Sequence, residues 1–131
     1  MLSNINDFLS HTTWAVIGVS NNQTKYGYKV YRQLKKAGYS TFALNPRLES
    51  IDGDPCYPSL SALPIQPDAV CVVVPPKITE QVIQDCINLG IKRVWMQPGS
   101  ENKKAIRNGE DHGISVIHDQ CVLIQTQNKS Q

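Results

Sequence analysis

The chain has 131 residues, 40% of them hydrophobic and 18% charged, with 13 Lys and Arg against 11 Asp and Glu for a net charge of +2. That length suits one domain, spanning residues 1–131, that buries a core without staples, and so mild a charge does not call for nucleic acid, which needs a clustered basic face. No apolar run approaches the roughly 20 residues of a membrane span, and residues 1–7 lack the basic and apolar regions of a signal peptide, so a cytoplasmic protein with no membrane partner is expected.

In chain order, residues 3–11 read as a short helix capped by Ser3 or Asn4, with Ile5, Phe8 and Leu9 facing inward. The unbroken apolar run Trp14–Val19 suits a strand covered on both faces. Val30, Leu34 and Ala37 recur at helical spacing, so a helix is expected from about Tyr26 to Ala37, with Gly38 as its cap. Tyr39–Leu44 is the second strand, stopped by Asn45-Pro46. Residues 46–58 read as a loop, with a turn at Asp52-Gly53-Asp54-Pro55, and Ser59–Leu63 as a helical turn.

Asp68–Val74 is the clearest buried strand, ended by Pro75-Pro76. A helix follows over Ile78–Leu89, with Ile78, Val82, Ile83, Cys86 and Ile87 on one stripe, then strand Arg93–Gln97, ending at Pro98-Gly99. Ser100 is the expected N-cap of a helix over residues 101–112, and Ile114–His118 the last short strand. Residues 119–125 suggest a final helical turn, and Thr126–Gln131 a frayed polar tail. Of the cysteines at 56, 71, 86 and 121, none forms a CxxC pair, and Cys71 and Cys86 read as small core hydrophobes. No His and Cys cluster has zinc spacing, so no metal is expected.

Alternating strands and helices predict an α/β fold: a Rossmann-like, doubly wound parallel sheet of about five strands with helices on both faces. Ligands of such sheets lie at the carboxyl ends of the strands, near the switch in strand order. The first of these ends carries the strongest signal. Gly18 permits a sharp turn and close approach to a ligand. Ser20 can donate to a phosphate oxygen, Lys25 adds positive charge at the helix start, and Gly27 allows close backbone approach. A strand end followed by a helix start binds anions, phosphates above all. The spacing fits neither the dinucleotide fingerprint nor the P-loop, and a plain connection is the competing reading.

An NAD binder carries Asp or Glu after its second strand to bond the ribose hydroxyls. This chain has Asn45-Pro46-Arg47. Arginine attracts a phosphorylated ribose, which leaves NADP, with its 2′-phosphate, and coenzyme A, with its 3′-phosphate. The alternative for Arg47 is a solvated loop charge.

Val16-Ile17-Gly18-Val19-Ser20, Lys25-Tyr26-Gly27, Gly38-Tyr39, Asn45-Pro46, Val73-Val74-Pro75-Pro76, Trp95-Met96-Gln97-Pro98-Gly99 and Asp119-Gln120-Cys121 stand in an ordered series. Their order and spacing resemble the CoA-binding domain proteins, small Rossmann-like proteins similar to the N-terminal domain of the succinyl-CoA synthetase alpha subunit. The resemblance runs from about Trp14 to Ile124 and implies coenzyme A or an acyl-CoA as the ligand. Gly18, Ser20 and Lys25 would hold the pyrophosphate, with Tyr26 and Gly27 in the same motif. Asn45, Pro46 and Arg47 would frame the 3′-phosphate end. Val74, Pro75 and Pro76 would line the wall beside adenine or pantetheine, although simple strand termination also explains the prolines. Gln97 and Gly99 would sit near the pantetheine arm, and Cys121 completes the binding set. Gln120 departs from the many relatives that carry a basic residue there.

Cys121 is also the best candidate nucleophile, because His118 and Asp119 precede it. At a helix start it could form a mixed disulfide with CoA; a buried structural cysteine is the other reading. No motif makes a histidine a phosphoryl carrier. A binding, carrier or sensor module is therefore expected rather than an enzyme, working alone, as a homo-oligomer or with a protein partner. The alternative is an NADP-binding oxidoreductase or redox sensor, for which no catalytic Tyr and Lys pair is evident.

Overall fold

Side chains alternate in direction along each central strand, and this alternation builds the two layers of the core in a computed structural model that describes residues 2–127. The helices are α1 (Leu2–Ser10), α2 (Tyr26–Lys36), α3 (Pro76–Leu89), α4 (Lys103–Asp111) and α5 (Val122–Thr126). The strands are β1 (Thr13–Ile17), β2 (Ser40–Leu44), β3 (Ser50–Ile51), β4 (Asp54–Tyr57), β5 (Ala69–Val72), β6 (Arg93–Met96) and β7 (Ser115–Ile117). They form one sheet in the order β3-β4-β2-β1-β5-β6-β7, parallel throughout except between β3 and β4.

Trp14, Val16, Cys71 and Trp95 point to one face, where they pack with Phe8, Val30, Leu34 and Val122 of α1, α2 and α5. Ala15, Val70, Val72, Val94 and Met96 point to the other, against Val82, Ile83, Cys86 and Ala105 of α3 and α4. Strands covered on both faces read as continuous apolar runs, which is why β1, β5 and β6 are so visible in the sequence. Trp14 and Trp95, fully buried, lie 6.2 Å apart between ring centroids, and Phe8 meets Trp95 edge-on at 5.8 Å. Cys71 and Cys86 are buried, as expected of small core residues. Among the described residues no helix is long and apolar enough to cross a membrane.

Five expectations change. The sheet has seven strands rather than about five, because residues 50–57, read as loop, form the β3–β4 hairpin at one edge. Its turn, Asp52-Gly53, has φ of +50° and +83°, the two positive values a tight hairpin turn needs. The hairpin is held from a distance: Asp54 accepts from Tyr31 Oη and pairs with Lys35, while Asp52 pairs with Arg32 at 3.6 Å. Ser100 does not cap α4; Asn102 does, its Oδ1 accepting from Ala105 N at 3.1 Å. Ile78 is 50% exposed, and the buried face of α3 begins at Thr79 instead.

The fifth concerns the tail. Thr126, expected to begin a frayed segment, is buried in α5, its Oγ1 donating to Val122 O at 2.6 Å and its carbonyl accepting from Gln33 Nε2 at 3.0 Å. Residues 128–131 of that expected tail lie outside the described residues.

Candidate functional site

The chain runs outward from β1 to β2 on one side of the sheet and returns to β5 on the other, so the switch in strand order lies between β1 and β5. A crevice is expected at their carboxyl ends, and a cleft of about 580 Å³ opens there. Of the residues expected at the site, Gly18, Ser20, Lys25, Tyr26, Gly27, Asn45, Arg47, Val74 and Pro75 line it. Val19, Thr24 and Val73 line it as well; Val19 and Val73 stand in the ordered series without a role assigned to them, and Thr24 carried no signal.

The floor is backbone. Gly18, at φ +99°, donates to Leu44 O at 3.0 Å, and a β-carbon there would lie 2.1 Å from Val73 O. Asn45 fixes the β2 side: its Nδ2 donates to Val19 O and its Oδ1 accepts from Arg47 N, both at 2.8 Å. The amide expected to frame a ligand is thus occupied with the protein's own backbone, and it sets the direction in which the exposed Arg47 leaves the turn.

The loop before α2 is ordered by its own short side chains. Ser20 Oγ accepts from Asn22 N at 3.0 Å, and Asn22 Oδ1 accepts from Thr24 N at 3.0 Å. Lys25 is the N-cap residue of α2, yet no side chain caps the helix. The first N–H groups of a helix then lack intrahelical partners and carry its positive dipole end. Lys25 and Arg47 line the cleft and no carboxylate does. Such an arrangement favours an anion with several oxygens.

The remaining expected residues are placed differently. Pro46, exposed, lies between Asn45 and Arg47 but does not line the cleft. Pro76 is the first residue of α3, and its carbonyl accepts from Asn102 Nδ2 at 3.1 Å. Gly99 is exposed, its N–H donating to Glu101 Oε2 at 2.9 Å. Gln97 is 2% exposed: its Oε1 accepts from Val122 N at 2.7 Å and its Nε2 donates to Cys121 Sγ at 3.4 Å. It therefore supplies the missing cap of α5, and it does not line the cleft. Cys121, half-buried, stands at the N-cap of α5. Its partner is Gln97, while His118 Nδ1 pairs with Asp119 Oδ2 at 2.6 Å, so the described contacts do not assemble a cysteine and histidine couple. Among the described residues no three metal-ligating side chains gather.

The family model for the CoA binding domain matches residues 12–127. This chain belongs to the CoA-binding domain family. The family member is 31% identical over 121 residues to the alpha subunit of ADP-forming acetate–CoA ligase II of Pyrococcus furiosus, a match covering 84% of this chain and 26% of that one. It spans 18% and 26% of the length of two curated ligase chains that it matches, so it corresponds to a part of those enzymes. Solved structures of similar size share the fold. A conserved hypothetical protein of Pyrococcus furiosus, 33% identical, superposes with a TM-score of 0.83 over 88% of this chain and 99% of that one. A hypothetical protein of Pyrococcus horikoshii, 25% identical, superposes at 0.93 over 100% and 93%.

Proposed function

We propose that this CoA-binding-domain protein binds coenzyme A or an acyl-CoA in the cleft between β1, β2 and β5, as a binding, carrier or sensor module. The observation that carries this reading is the cleft itself. It lies at the switch point, at an uncapped helix start, and is lined by Lys25 and Arg47 with no carboxylate. The pyrophosphate rests against Gly18, Ser20, Lys25 and the first turn of α2. Arg47, whose guanidinium has no ion-pair partner among the described residues, takes the 3′-phosphate. Val74 and Pro75 form the apolar wall. Pro46 and Pro76 shape the chain on either side, and Gln97, Gly99 and Cys121 act from behind that wall. A non-catalytic role fits Cys121 and His118, whose hydrogen bonds run to Gln97 and Asp119 and not to each other. The working compartment is the cytoplasm, where CoA is available.

Thermal unfolding with CoA, dephospho-CoA, NADP and NAD tests the reading. A ligand at 100 times its dissociation constant stabilises by about 2.7 kcal/mol, which shifts the transition by several degrees. CoA is expected to give the largest shift. A shift with NADP alone would replace this reading with a redox one.

A further inference from the structure

Four polar side chains are buried among the described residues, those of Thr79, Gln97, Ser100 and Thr126. Three of the four gather where β5 and β6 end, beside the cleft. Burying a polar group is costly unless it is hydrogen-bonded, and each of these is. Ser100 sits at the centre and is 3% exposed. Its Oγ accepts from Val74 N at 3.0 Å, its carbonyl accepts from Thr79 Oγ1 at 2.7 Å, and its own N–H donates to Gln97 O at 2.8 Å.

Val74 needs such a partner. The β5–β6 ladder ends at Val72 and Met96, with Gln97 N reaching back to Val72 O at 3.1 Å. Beyond that point the Val74 N–H has no strand to pair with, and the Ser100 hydroxyl takes it. Val74 Cγ1 in turn stands 2.8 Å from the place a β-carbon on Gly18 would occupy. Ser100 thereby fixes how far the Val74 wall stands from the Gly18 floor.

We propose that Ser100 is a positioning residue for the ligand cleft, holding the Val74–Pro75 wall at the distance from Gly18 that CoA requires. The proposal rests on the CoA reading of that cleft. Ser100→Ala removes the hydroxyl and leaves the fold's apolar layers untouched; Ser100→Thr keeps it. Amide exchange at Val74 in the ligand-free full chain is measured by NMR, and CoA affinity by calorimetry well below the unfolding transition. In Ser100→Ala, Val74 exchange rises about tenfold while Val16 in β1 keeps its protection, and CoA affinity falls roughly fivefold, the scale of one hydrogen bond. Ser100→Thr restores both. Unchanged exchange at Val74 overturns the proposal, and so does faster exchange with unchanged affinity, which would leave Ser100 a purely structural role. If the unsubstituted protein does not bind CoA, the CoA reading falls, and the exchange result alone decides whether Ser100 holds the wall. Should Ser100→Ala not fold, Thr79→Val releases the Ser100 carbonyl and must raise Val74 exchange in the same direction; no change there also overturns the proposal.

Discussion

The α-carbon of Gly27 faces the carbonyl oxygen of Gly18, so closely that a β-carbon on Gly27 would lie 2.1 Å from it. The first turn of α2 is thus seated directly on the end of β1. Gly27→Ala cannot keep that contact. A methyl group forced into packed backbone costs about 1–3 kcal/mol or more. Urea unfolding should show that loss, and the CoA-dependent thermal shift should fall with it. Gly18→Ala should lose more, because it adds a strained positive φ to a clash with Val73 O.

Arg47→Glu tests the phosphate contact. A charge-assisted hydrogen bond contributes about 1.5–3 kcal/mol, so CoA affinity should fall at least tenfold. Dephospho-CoA, which lacks the 3′-phosphate, should lose much less. Equal losses for the two ligands would return Arg47 to the role of a solvated loop charge.

Gln97→Leu puts an apolar side chain of similar length in the buried position and removes the acceptor for Val122 N. An unsatisfied buried donor costs about 1–3 kcal/mol. The urea midpoint should drop accordingly. Cys121 should also react faster with a thiol reagent, because α5 loosens around it.

Asp54 carries a pH dependence. Its carboxylate accepts from Lys35 and from Tyr31, and these bonds hold its pKa below the ordinary value of 3.8. A carboxylate with a depressed folded pKa contributes stability that is complete above its unfolded pKa. That contribution is lost as pH falls through the folded pKa. Between pH 7 and 5 Asp54 should therefore contribute constant stability, and the loss should appear below about 3.8. The pair is partly exposed to solvent, so the effect is on the order of 0.5 kcal/mol. Asp54→Asn should flatten the acid limb of the unfolding temperature against pH; an unchanged limb would remove Asp54 from the account.

Thiol labelling separates the cysteines. Burial pushes the Cys86 thiol up to about 12 and raises that of Cys71 further. The reactive form is the thiolate, so neither should be labelled in the native protein. Mass spectrometry should find adducts only at Cys56 and Cys121 until urea unfolds the chain, after which all four should react.

The cleft at the carboxyl edge was largely legible in the sequence because its parts are local. Gly18 and Gly27 are glycines for backbone reasons that any strand-turn-helix imposes, and Arg47 declares its charge wherever it stands. Val74 ends, and Pro75 follows, an apolar run of the kind a doubly covered strand uses. The hairpin was not legible in the same way. Asp52-Gly53 announced its turn, but β3 and β4 are two and four residues long. What makes them strands is the pairing of β4 with β2, of β3 with β4, and the grip of Lys35 and Tyr31 on Asp54, partners 19 and 23 residues away. Ser100 was misplaced for a related reason, and the partners of Gln97 were equally hidden. A polar residue at a strand end looks like a ligand contact or a helix cap until the groups it meets are known.

By itself the sequence determined the alternation of strands and helices, the parallel sheet and the edge that carries Gly18, Gly27, Lys25 and Arg47, since hydrophobic period, glycine and charge are properties of short segments. Tertiary structure alone decided which polar side chains line the cleft and which are turned to the protein's own backbone. Asn45, Gln97 and Ser100 each answer a backbone group left unpaired where a strand or helix ends, and those groups acquire positions only once the sheet has closed.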